Sequence, residues 1–158
     1  MQSQDDIQAQ RRQDSDHVVA LLRAGVPAIL ARHPVDAAYV YGSLTRGAAT
    51  PFSDVDIALV LQESLPPYER LMLELAVEGD IEGALEISPV DVRAINEAPL
   101  VARGKIVQEG ILVYERDRRR RVTFEVQTRK QYFDFAPAAR RLRDAFLRRV
   151  HKEGLLYG

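Results

Sequence analysis

The chain has 158 residues, with 46% apolar and 28% charged, which is ordinary for a globular protein able to bury one core. It has no cysteine, which excludes disulfides, thiolate metal sites and a cysteine nucleophile and fits a reducing cytoplasm, the compartment expected here. No apolar run approaches the ~20 residues that span a bilayer, and the opening MQSQDDIQAQRRQDSD is unlike a signal peptide, so no membrane association is expected.

Residues 1–15 are polar and are expected to form a disordered extension, followed by a single domain over 16–158. From Asp16, Val18, Val19, Leu21, Leu22, Ile29 and Leu30 recur at helical spacing. Asp14, Ser15 or Asp16 can cap this helix, Gly25 and Pro27 are expected to bend or split it, and His33-Pro34 ends it. Residues 37–41 read as a first strand and 55–61 as a second. Pro66-Pro67 open a long helix that carries Leu71, Leu75 and Ile81. Residues 88–95 read as a third strand, 98–107 as a helix stopped by Gly110, and 111–114 as a short strand. From Asp117 the pattern is helical to the end of the chain, with a break expected at Pro137. Phe124, Tyr132, Phe133 and Phe135, then Leu142, Phe146 and Val150, form a stripe expected to pack as core. The fold class is therefore α/β, a small sheet flanked by helices with a basic C-terminal helical segment.

Charge is unevenly spread. Residues 1–115 hold 9 Lys and Arg against 18 Asp and Glu, and residues 116–149 hold 12 against 4. Two readings of the basic segment stand: a surface for a charged partner, or a solvated helix face whose arginines pair with the acidic body.

Chemistry concentrates in YGSLTRGAATPFSDVDIALVL, residues 41–61. Alternation along a strand sends Asp54 and Asp56 to one face while Val55 and Ile57 point to the other. Two like charges so close repel, and a divalent cation between them removes the conflict. Paired Mg²⁺ ions about 3.5–4 Å apart, held by carboxylates, are a standard device for phosphoryl and nucleotidyl transfer. Asp91, between Val90 and Val92, supplies a third carboxylate if its strand lies beside 54–61; its alternative is an ion pair with Arg93. Gly42 and Ser43 stand where a strand meets a helical turn, a junction whose free N–H groups suit a phosphate. Gly42 permits close approach and Ser43 can donate its hydroxyl or cap the turn. Arg46 can grip a phosphate through paired donors or form a surface ion pair. Ser53 reads as a turn residue rather than a ligand.

Gly42-Ser43, the ten residues 44–53, then Asp54-Val55-Asp56, with Asp91 on a later strand, resemble the signature of the DNA polymerase β-type nucleotidyltransferase superfamily. The short chain resembles the minimal nucleotidyltransferases, the MNT group, and among them the MntA-type antitoxins that accompany HEPN-domain toxins. EGILVYERDRRRRVTFEVQTRKQYFDF is similar to their strand, basic helix and terminal Tyr-x-Asp-Phe, here Tyr132, Phe133, Asp134 and Phe135. The resemblance covers roughly 16–150. Thr45 stands where the family often has alanine, and residues 1–15 have no counterpart.

The resemblance implies a mixed nucleotidyltransferase sheet, ATP as donor, Mg²⁺ as cofactor and a HEPN toxin as partner, with AMP moved to a toxin tyrosine. Asp54, Asp56 and Asp91 would hold two Mg²⁺ ions, Asp91 would also orient or deprotonate the hydroxyl, and Gly42, Ser43 and Arg46 would bind the nucleotide. Two rivals remain: a transferase acting on a small molecule or RNA end, and an antitoxin that neutralises by contact alone. No direct nucleic-acid contact is expected.

Overall fold

The computed structural model describes residues 3–50 and 53–154. β1 (Val35–Tyr41) is buried along nearly its whole length because both its edges are paired and both its faces covered. It runs antiparallel to β2 (Val55–Leu61) on one side and to β4 (Ile111–Glu115) on the other. β2 pairs on its free edge with β3 (Val90–Ala94), in parallel. The sheet is therefore mixed, in the order β3-β2-β1-β4. A parallel pair needs a crossover, and α2 (Pro67–Leu85) provides it.

Helices cover both faces. α1 (Gln4–Leu30) and α2 lie over one, where Leu22, Val26, Ile57, Leu59, Val77 and Ile81 form the larger core. α3 (Leu100–Glu109) and the first turns of α4 (Arg118–Glu153) lie over the other, on Ala37, Tyr39, Ala58, Val60 and Ile106 with Phe124. Pro67 opens α2 at a position where its missing N–H costs nothing.

As an edge strand β3 would leave alternate N–H groups bare, and α2 supplies their acceptors. Glu82 accepts from Val90 N–H, Glu78 from Val92 N–H and Glu74 from Ala94 N–H, each at 2.9 Å. The match is geometric. Four residues of helix rise about 6 Å and two residues of strand about 6.6 Å, so a Glu at every fourth position meets an N–H at every second. Three carboxylates thus replace a neighbouring strand.

The helices depart from the sequence reading in three ways. The stretch expected to be disordered is helical from Gln4, because Ser3 and Asp6 form a reciprocal capping box and Gln10 reaches Asp14. Met1 and Gln2 lie outside the described residues. Gly25 and Pro27 do not divide α1: Gly25 packs closely against the Leu85 side chain, and the helix continues over Pro27 to Leu30. Pro137 does not end α4. The carbonyl it strips of a partner belongs to Phe133, which is exposed and open to water. The helix expected to reach the chain end is described to Glu153, and residues 155–158 lie outside the described residues.

The aromatic and aliphatic stripe of α4 is only partly core. Phe124 packs under the sheet and Tyr132 against Gly104, but Leu142 is 70% exposed and Phe146 63%. These positions lie beyond the last packed turn, so no element among the described residues covers them.

The basic segment divides between the two readings. Arg116 donates to the carbonyls of Val35, Ala31 and His33. Arg120 pairs with the buried Asp36 at 2.8 Å, and Arg121 pairs with Glu115 and Glu125. These arginines hold α4 to the body. Arg118 and Arg119 are exposed, and Asp117 caps the helix through their end of the chain, accepting from the N–H groups of Arg119 and Arg120.

Candidate active site

β1 and β2 set the site by register. Tyr41, the last residue of β1, stands opposite Asp56, and Asp56 stands beside Asp91 across the parallel pair. The three side chains form one row at one end of the sheet. They share the face covered by α3, because Tyr39 and Ala58, two residues away along their strands, belong to the core beneath it. Asp54 precedes β2 and is exposed.

The row is electrically unbalanced. Burial, then the charges of Asp91 and Asp54, push the Asp56 carboxyl above its ordinary range. Burial and the same carboxylates, Asp56 and Asp91, raise the Tyr41 phenol in turn, against a smaller lowering by Arg93. Arg93 donates to Asp91 at 3.1 Å, so Asp91 keeps the ion pair expected as its alternative while also standing beside Asp56.

The Gly-Ser junction follows directly. Gly42 has φ +78°, and a Cβ there would lie 2.6 Å from Asp56 Oδ2, so glycine is required by conformation and by space alike. Residues Gly42–Leu44 form a 3-10 turn closed by bonds from Thr45, Arg46 and Gly47 N–H to Gly42, Ser43 and Leu44 carbonyls. Thr45 caps it, its hydroxyl donating to the Gly42 carbonyl at 2.7 Å. No side-chain capping bond comes from the residue ahead of the turn, and Ser43 itself is half-buried. Ser53 takes the turn role expected for it, accepting from Thr50 N–H at 2.9 Å. Pro51 and Phe52, inside the ten-residue spacer, lie outside the described residues.

Beside this turn opens a cleft of about 220 Å³, bounded by Tyr41, Gly42, Thr45 and Arg46 on one side and by Ala102, Lys105, Ile106 and Glu109 of α3 on the other. It joins an apolar wall to two cations and one carboxylate. Gly42 and Arg46 line it directly; Ser43, on the same turn, and Asp54, Asp56 and Asp91 do not. Lys105 and Glu109 had no local sequence signal, since α3 lies some sixty residues from the Gly-Ser turn and reaches it only through the fold. Tyr41 was legible in principle, as the residue that ends β1 opposite Asp56.

The carboxylates offer only hard oxygen donors, and the Asp56 carboxyl is raised by burial and then by the charges of Asp91 and Asp54, so the chemistry of the donor set fits Mg²⁺. Among the described residues no three His, Cys, Asp or Glu side chains are drawn together as a closed metal-holding group. Asp56 and Asp91 are adjacent by register, while Asp54 is the outlying third. No helix among the described residues is long and apolar enough to cross a membrane.

No curated protein matches the sequence. Solved structures do match by fold. A chain of the toxin-antitoxin crystal structure with AMP-PNP superposes with a TM-score of 0.59 at 21% identity, covering 84% of this chain and 98% of that one. A chain of the MntA-HepT toxin-antitoxin superposes at 0.53 with 21% identity, covering 85% and 97%. A chain of the tri-AMPylated Shewanella oneidensis HEPN toxin in complex with MNT antitoxin gives 0.53 with 20% identity, covering 87% and 98%. The family profile described as Polymerase beta, Nucleotidyltransferase matches residues 26–119, which is more than half the chain and spans both the Gly-Ser turn and the three aspartates. The chain belongs to the polymerase β nucleotidyltransferase family.

Proposed function

We propose that this protein is an MntA-type antitoxin that transfers AMP from ATP to a tyrosine hydroxyl of a HEPN toxin. One observation carries the reading: Tyr41, Asp56 and Asp91 stand in register at the strand ends, with Gly42 folded against Asp56 at the mouth of the cleft. Family membership and the likeness to MntA-HepT complexes support it.

Asp54, Asp56 and Asp91 are the residues that would hold Mg²⁺. When bound, Mg²⁺ would neutralise phosphate charge and acidify the attacking hydroxyl. Arg46 and Lys105, on opposite walls, bind the triphosphate, with Ser43 donating from the turn. Tyr41 and Ile106 give the nucleoside an apolar surface. Asp91, paired with Arg93, stands farthest from the Gly-Ser turn along the row, on the side away from the triphosphate. It orients the hydroxyl and takes its proton as the oxygen bonds to the α-phosphorus. The bond from that phosphorus to pyrophosphate breaks, pyrophosphate leaves, and AMP stays on the acceptor oxygen.

The test is intact-mass analysis of a HEPN toxin incubated with the protein, ATP and Mg²⁺, followed by fragment mapping. AMP-sized increments on tyrosine are expected, and none with Asp56→Asn. A toxin that is silenced yet unmodified would point instead to neutralisation by contact.

A further inference from the structure

α4 is far longer than the face it covers. Its early contacts track β1 toward the site: Arg120 meets Asp36, then Glu125 accepts from the Tyr39 hydroxyl at 2.6 Å. Next, Arg129 reaches the Val107 carbonyl, and Tyr132 packs on Gly104, next to Lys105 of the cleft. By Tyr132 the helix has come level with the active site. Residues 133–153 continue for about 30 Å more at 1.5 Å per residue. Residues 140–149 are exposed throughout.

This projecting length is patterned. Phe135, Ala139, Leu142, Phe146 and Val150 follow at steps of 4, 3, 4 and 4, which places them along one side of the helix. Phe135, Leu142 and Phe146 are 41%, 70% and 63% exposed, more apolar surface than a solvated helix needs. Arginines flank the stripe: residues 137–153 hold six Arg and Lys against two Asp and Glu. Like charge on two such arms opposes pairing with the same arm of a second copy.

We infer that residues 133–150 of α4 are a docking arm for the protein whose hydroxyl is modified, and that this protein presents an apolar groove with an acidic rim. The inference rests on the proposed transfer to a protein acceptor, and it names the surface that brings that acceptor to the site. The arm leaves the body beside Lys105, so a partner seated along it is held next to the cleft that Tyr41 and Lys105 line. Helix-in-groove binding of this kind reads apolar anchors at these spacings, and the arginines speed encounter with an acidic rim.

The test compares wild type with Leu142→Asp/Phe146→Asp, two exposed positions far from the cleft. Binding to the HEPN toxin used in the transfer assay is measured by calorimetry at two salt concentrations. Transfer to a short tyrosine peptide, too small to reach the arm, is measured alongside. Loss of two anchors is expected to weaken toxin binding by about 30-fold or more. Wild-type binding should also weaken as salt rises. Transfer to the peptide should be unchanged. Equal binding by both proteins, or no binding by wild type, overturns the arm. So does light scattering that finds the wild type alone as a dimer dissolved by the double substitution, because the stripe would then serve a second copy. Toxin binding that depends on the stripe, without transfer to toxin or peptide, keeps the arm and refutes the proposed transfer.

Discussion

Removing one rung of the glutamate ladder on α2 probes how the fold fixes Asp91. Glu78 accepts from Val92 N–H at 2.9 Å, and its neighbours Glu82 and Glu74 serve Val90 and Ala94. Asp91 lies between the first two of these fastened amides. Glu78→Ala leaves the Val92 N–H, on a strand residue only 1% exposed, without its acceptor. A hydrogen bond to a charged group contributes about 1.5–3 kcal/mol, and a partly buried edge recovers some of that through water, so a loss of about 2 kcal/mol is expected. In a chain of this size that lowers Tm by about 4–8 °C. Glu78→Gln keeps a neutral acceptor of the same length and should lose about half as much. Urea unfolding measures both, and hydrogen exchange at the Val92 amide locates the change. Exchange accelerated more at Val92 than at Tyr39 is the expected pattern. If alanine and glutamine lose equal stability, the carboxylate charge rather than an acceptor at that position matters, and the ladder argument fails. A Glu78→Ala protein within about 0.5 kcal/mol of wild type refutes it outright.

Asp56→Asn should abolish transfer yet stabilise the metal-free protein slightly. Folding raises the Asp56 carboxyl above its unfolded range, so its ionised form costs stability, fully so above the folded pKa and not at all below the unfolded one. The gain in denaturation midpoint should therefore be present at pH 7, stay below about 1 kcal/mol for so accessible a group, and vanish in acid. Gly42→Ala, at φ +78° and against Asp56, should lose both stability and nucleotide binding, measured by thermal melting and by titration with a non-hydrolysable ATP analogue. Ser43→Ala, Arg46→Ala and Lys105→Ala should each weaken that binding by about ten- to a hundred-fold, and unchanged affinity in all three would remove them from the phosphate site. Arg120→Ala strips the buried Asp36 of its charge partner and should cost about 3 kcal/mol in urea unfolding, whereas Arg118→Ala should cost almost nothing.

The order of strands and helices was readable because it rests on local rules. β2 is an unbroken apolar run once Asp56 is set aside, Pro66-Pro67 announce α2, and a Gly-Ser step followed by two alternate aspartates leaves few other interpretations. Ser43, Arg46, Asp54 and Asp56 could be proposed for the same reason: their chemistry is carried by spacing along one strand and one turn. Their meeting was a matter of tertiary structure. Asp91 reaches Asp56 only because α2 carries the chain back to lay β3 parallel to β2, and Lys105 and Glu109 face the cleft only because α3 crosses the sheet beside Tyr41. The fate of the charged and apolar residues on α4 could not be read locally either. Arg118 and Arg120 look alike in sequence, yet only Arg120 lies within reach of the buried Asp36. Leu142 and Phe146 repeat at the spacing of a core helix, but burial depends on whether another element lies opposite, and by that point the helix has run past the end of the sheet.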